Sequence, residues 1–135
     1  MIKLVRLDYR LLHGQVVFSW TGHVGAQRII VVDDDAANDE MKKSALLLSK
    51  PAGVRVNIFT VDKAIAKMPK VEQLDEKIMM IFGNTAALLK FCQAYPKIKE
   101  INYGAVANKP GSKAFDQSVF LTPEEQADTQ KLLDM

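Results

Sequence analysis

Apolar and polar positions along this chain fall into blocks that switch between a period of two and a period of about 3.6 residues. IKLVRLD, residues 2–8, reads as a strand. GQVVFSWTGHVG, residues 14–25, puts Val16, Val17 and Trp20 on one helical side and supplies Gly25 as a helix stop. RIIVVDD, residues 28–34, is a β-branched run that ends in acids, the composition of a strand buried on both faces of a parallel sheet. Residues 35–50 read as one helix, with Asp39 and Glu40 early, Lys50 late, and Pro51 and Gly53 to end it.

The alternation continues. VRVNIFT (54–60) is strand-like, VDKAIAKM (61–68) a short helix that Pro69 stops, and KIMMIFG (77–83) another buried strand. TAALLKFCQAY (85–95) is a helix with Asn84 as N-cap and Pro96 just beyond. KIKEINYG (97–104) supplies a fifth strand, residues 105–115 an exposed loop, and DQSVFL (116–121) a short strand. The last helix has a capping box: Thr122 at the N-cap, Pro123 at N1 and Glu125 at N3. Strands alternating with helices predict an α/β fold, a three-layer αβα arrangement with a mainly parallel central sheet and helices on both faces. With 135 residues, the expectation is a single domain spanning 1–135.

Composition removes several classes of function. Basic and acidic residues number 18 and 16, and no long basic run occurs, so the chain lacks the footprint of a nucleic-acid binder. Cys92 stands alone, which excludes an intrachain disulfide and a thiolate cluster and suits a reducing compartment, the cytoplasm. The N-terminus has no sustained apolar stretch of the signal-peptide kind, and no apolar run approaches the ~20 residues a bilayer span needs. Neither a dinucleotide-binding G-x-G-x-x-G after the first strand nor a P-loop G-x-x-x-x-G-K-[ST] is present, although Gly111, Ser112 and Lys113 form a P-loop fragment without its first half.

The candidate chemistry sits where the first strand stops, in RLDYRLLHGQVV. Open parallel sheets bind ligands beyond the carboxyl ends of their strands, and a helix N-terminus there offers free N–H groups to an anion. Gly14 would admit a phosphate close to backbone, and Arg6 and Arg10 flank the loop with guanidinium charge. Neutral imidazole is a nucleophile near pH 7, so His13 beside an anion cradle suits covalent phosphoryl transfer through a phosphohistidine. On local pattern alone, His13 reads as a loop anchor before it reads as a nucleophile.

The spaced motif Arg6, Leu7, Asp8, Tyr9, Arg10, Leu11, Leu12, His13, Gly14, Gln15, Val16, with Trp20 a turn later, resembles the signature of the sorbose-subfamily (mannose–fructose–sorbose) IIB components of the sugar phosphotransferase system. The likeness extends through RIIVVDDDAANDEMKKSALLLSKPAGVRVNIFTVDKA, FGNTAALLKF and INYGAVANKPG, so it covers essentially the whole chain. The resemblance implies a phosphotransferase without cofactor or metal. His13 would take a phosphoryl group from a phosphohistidine of a IIA partner and pass it to a sugar of the mannose, fructose or sorbose class. The membrane IIC and IID components would deliver that sugar and hold the protein at the inner face of the membrane. Arg10, foremost, and Arg6 would clamp the phosphate, with Gly14 and Gln15 helping to bind or admit it. Asp8 is expected to order the loop through backbone hydrogen bonds, since a carboxylate repels a phosphate. The resemblance leaves the oligomeric state open. The alternative is a non-catalytic phosphate-sensing or regulatory module of the same fold.

Three departures from the family pattern stand out. Asn84 is followed by Thr85 rather than Pro, Gly104 by Ala105 rather than a second glycine, and no strand follows the last helix, as in a chain cut short or a shorter relative. Elsewhere, His23 is expected to favour the dipole at its helix end, Asp33, Asp34 and Asp35 to serve as helix-start acids rather than a magnesium site, and Cys92 to fill core. Trp20 would either pack inside or face a partner.

Overall fold

The computed structural model describes residues 1–135 apart from the side chains of residues 15–17. The elements run β1 (Ile2–Asp8), α1 (Gly14–Val24), β2 (Arg28–Val32), α2 (Asp34–Ala37), α3 (Glu40–Leu48), β3 (Arg55–Phe59), α4 (Val61–Val71), β4 (Ile78–Phe82), α5 (Thr85–Ala94), β5 (Asn102–Ala105), β6 (Lys113–Ala114), β7 (Phe120–Leu121) and α6 (Pro123–Leu133). β1 to β5 form one parallel sheet in the order β3-β2-β4-β1-β5, and β6 and β7 pair as a small antiparallel ribbon.

The period-two strands divide the core between the two faces. Val5 and Leu7 of β1, Ile30 and Val32 of β2, and Ile78, Met80 and Phe82 of β4 meet α4 and α5. Ile29, Val31, Met79 and Ile81 face the other way, toward Trp20 and Val24 of α1 and Leu46 of α3. β4 is buried along its whole length because it lies between neighbours and under helices on both sides. Phe82 and Phe91 pack at 5.1 Å between centroids with their planes tilted by 56°, a contact that adds to the area they bury.

Most helix ends follow side-chain chemistry. Gly25 ends α1 in the left-handed region at φ 67. Asn84 caps α5 by accepting from the Ala87 amide at 2.8 Å. Thr122 and Glu125 complete the reciprocal box of α6, at 3.2 and 2.9 Å.

Four elements differ from their sequence expectation. The helix expected over 35–50 is two helices, because Asp39 accepts from the amides of Met41 and Lys42 and so starts a second one. Asp33 likewise caps α2 through the Ala36 amide. α4 does not stop before Pro69 but runs on to Val71; burial of Met68 and Val71 outweighs one lost backbone bond in the last turn. The fifth strand begins at Asn102 rather than Lys97, since Ile98 and Ile101 turn onto the α4–α5 cluster. Only Phe120 and Leu121 of the expected 116–121 strand pair in a ribbon, with β6 arising inside the expected loop.

Candidate functional site

The connections from β1 and β4, adjacent strands, leave to opposite faces: α1 packs on one and α5 on the other. The crevice beyond their carboxyl ends is the topological switch point, where such sheets bind ligands. The loop between β1 and α1 occupies it.

Asp8 sets the shape of this loop. Its backbone carbonyl accepts from the Leu11 amide at 3.0 Å, closing a tight turn. Its side chain accepts from the Arg10 amide at 3.0 Å, the Asx bond that favours such turns. Leu11 then takes φ 60, a left-handed conformation that is unfavourable for a branched side chain and is held by burial of that side chain. The reversal brings His13 to the N-cap of α1, in extended backbone and without a side-chain capping bond.

A compact charge cluster results. The Arg10 guanidinium lies side-on to Asp8, Nε donating to Oδ1 at 3.1 Å and Nη2 to Oδ2 at 3.3 Å, which leaves Nη1 outside the fork. Hydrogen bonding to Asp8 pushes the Arg10 pKa up further, against the opposing effect of burial. Arg6 is buried; its Nη2 stands 3.4 Å from Asp8 Oδ2, its Nη1 donates to Asn102 Oδ1, and its Cζ lies 5.4 Å from the Trp20 ring centroid. Two guanidiniums on one carboxylate leave the cluster net positive.

His13 stands against this cluster, with 24% of its side chain exposed and Nε2 3.9 Å from Asp8 Oδ2. Nδ1 lies 2.9 Å from the Leu11 carbonyl, which can only accept, so Nδ1 is the donor in that contact. Nε2 is buried and has no hydrogen-bond partner among the described residues. Gly14 takes φ 39, and a Cβ there would meet nothing within 4 Å, so the space above it is open. Gln15, the remaining candidate, and the Val16 and Val17 side chains lie outside the described residues.

The structure therefore brings Arg6, Asp8, Arg10, His13 and Gly14 together. Asn102, Trp20 and Gly104 hold Arg6; sequence reasoning had Trp20 in the motif and Gly104 at the end of the fifth strand but gave neither this role, and it missed Asn102. His23 lies in the last turn of α1, edge-on to Trp20 at 5.8 Å between centroids. Cys92 is buried in α5, and burial pushes its thiol up to about 11, which leaves it protonated and inert near neutrality. Among the described residues no group of three or more His, Cys, Asp or Glu is placed to hold a metal ion, and no helix is long and apolar enough to cross a membrane.

A doubly wound parallel sheet with an imidazole and guanidinium charge at its switch point defines a class: an α/β protein equipped for phosphoryl transfer. Comparison with known proteins narrows the class. The family described as PTS system sorbose subfamily IIB component matches residues 2–135, and the chain belongs to it. The sorbose-specific EIIB component of Klebsiella pneumoniae is 36% identical over 124 residues, covering 92% of this chain and 76% of that protein. The crystal structure of the IIBSor domain of the sorbose permease from the same organism superposes with a TM-score of 0.92 at 34% identity, covering 99% of this chain and 82% of that one. A mannose-specific EIIAB component of Escherichia coli (strain K12) is 33% identical over 119 residues, 88% of this chain but 37% of that longer protein. The chain is thus a phosphotransferase-system IIB component, a phosphoryl carrier of a sugar phosphotransferase system, and a purely sensory module is not favoured.

Proposed function

We propose that His13 is the phosphoryl carrier of this chain. It takes PO3 from a phosphohistidine of a IIA partner and passes it to a sugar of the sorbose, mannose or fructose class held by membrane IIC and IID components, through which the protein meets the membrane surface. The observation that carries this reading is His13 at the N-cap of α1, 3.9 Å from a carboxylate braced by two guanidiniums, at the switch point of the sheet. The EIIAB relative supports a IIA donor, because that protein's name joins both functions in one chain.

In the first step the donor's N–P bond breaks as a His13 N–P bond forms; in the second a sugar oxygen replaces the ring nitrogen on phosphorus and the hydroxyl proton is released. In the described arrangement Nδ1 faces the Leu11 carbonyl and Nε2 faces the Asp8 carboxylate. Arg10, the more exposed guanidinium, supplies the clamp from the edge outside its fork on Asp8, and Arg6 supports it from below. The open space at Gly14 admits a phosphate oxygen to the head of α1. Asp8 does not bind the anion; it fixes the loop and orients the cation and imidazole around it.

Incubation with a phosphorylated IIA protein tests this. The wild-type chain takes up label that is stable in base and labile in acid, and releases it to sugar when IIC and IID membranes are added. His13→Ala takes up none. Equal labelling of His13→Ala overturns the assignment.

A further inference from the structure

β1 and β5 pair with Arg6 opposite Asn102 and Leu7 opposite Tyr103, then slip, so that Asp8 stands opposite Ala105. Gly104 is the residue the slip leaves over, a bulge of the kind that re-aims neighbouring side chains. It has a specific neighbour. A Cβ built on Gly104 would overlap Cζ and Nη2 of Arg6 and stand 2.6 Å from its Nε. The bare Cα of Gly104 is therefore the floor on which the guanidinium rests. Trp20 lies on it as well, at 5.4 Å from Cζ to the ring centroid, and Asn102 holds the Nη1 end.

The bulge is itself fixed on both sides. The Ser118 hydroxyl donates to the Gly104 carbonyl at 2.8 Å, and the next carbonyl, of Ala105, accepts from the Tyr9 amide in the histidine loop at 3.0 Å. Arg6 in turn faces Asp8, and Asp8 faces Arg10 and His13.

We infer that Gly104 is a positioning residue for phosphoryl transfer: the absent side chain at the β5 bulge seats the Arg6 guanidinium, which orients Asp8 and thereby the His13 ring. The inference rests on the reading of His13 as the carrier and adds to it a residue that does not touch the imidazole. The guanidinium is the far end of a flexible side chain, so an added methyl displaces it rather than the backbone.

Gly104→Ala in the full chain tests this. The variant folds, with a melting temperature close to wild type, and accepts phosphate from the IIA protein about tenfold or more slowly. Its ring 15N spectrum shows His13 shifts changed and His23 shifts unchanged. In an Arg6→Met background, Gly104→Ala slows the reaction no further, because two changes that act through one contact are not additive. A wild-type rate with unchanged His13 shifts overturns the inference. So does an equal fold-loss in both backgrounds, or a Gly104→Ala chain that does not fold, since the backbone rather than the guanidinium would then be what yields. Should the wild-type chain take no label at His13, the carrier reading fails while the ring shifts still report whether Gly104 sets that side chain.

Discussion

Four successive residues of β1 are buried to a similar degree: Val5 and Leu7 at 4% and 1% exposure, Arg6 and Asp8 at 7% and 1%. Val5 and Leu7 point into the α4–α5 cluster, where Phe82, Leu88 and Phe91 are fully buried. Arg6 and Asp8 point to the α1 side and end in the histidine loop. One side removes apolar surface from water and so stabilises the fold, at roughly 25 cal/mol per Å2. The other removes charge from water, which returns little net stability even when paired. Equal burial thus serves opposite ends: the odd positions hold the sheet together, and the even positions hold a reactive group in place.

That division can be broken from either side. The largest effect on folding is expected from Phe91→Ala, which empties the centre of the apolar face and lowers stability by about 3–5 kcal/mol in a urea titration. Phosphoryl acceptance by the folded fraction stays near wild type. A folded Phe91→Ala chain that fails to accept phosphate shows that the two faces are not separable.

Asp8→Asn probes the polar side. Neither guanidinium then has its charge partner, and the Arg10 fork loses one acceptor oxygen. Stability falls by about 2 kcal/mol, while the transfer rate falls about tenfold to a hundredfold, the scale on which losing a positioned charged group is felt. A normal rate for Asp8→Asn removes Asp8 from the orienting role.

The smallest effect concerns Asp33, which borders the same crevice; a Cβ on Gly83 would overlap its carboxylate. Burial raises the Asp33 pKa above the usual 3.8, against the Ala36 amide bond that lowers it. The folded chain therefore binds this proton more tightly than the unfolded chain. The resulting penalty is absent below 3.8 and grows as pH rises through the folded pKa. Asp33→Asn keeps the capping oxygen and removes the charge, so its thermal stability gains on wild type as pH rises across that window. A constant difference between the two melting curves contradicts the burial account.

The sheet was largely legible because each strand is a run of β-branched or apolar residues and most helices carry a local stop signal. Gly25, Asn84 and the Thr122–Glu125 box act within a few residues of themselves. What was not legible depended on competition or distance. Asp39 could favour one helix through its charge or start another through its side chain, and the second effect won. Pro69 breaks a helix locally but lost to the burial of Val71 two residues on. Among the site candidates, His13, Arg6, Asp8, Arg10 and Gly14 stood in one motif. Asn102 and Gly104 come from a strand about ninety-six residues further on, opposite Arg6; INYGAVANKPG resembled a family segment, but nothing local to it ties either residue to Arg6.

The chain has two histidines, and both lie on or at the head of α1. Chymotryptic peptide mapping of the chain after labelling by a phosphorylated IIA protein, carried out in base to preserve the adduct, cuts between them after Phe18 or Trp20 and separates them directly. The account predicts all of the base-stable phosphate on the peptide that contains His13. Phosphate on His23, or on neither histidine, contradicts it.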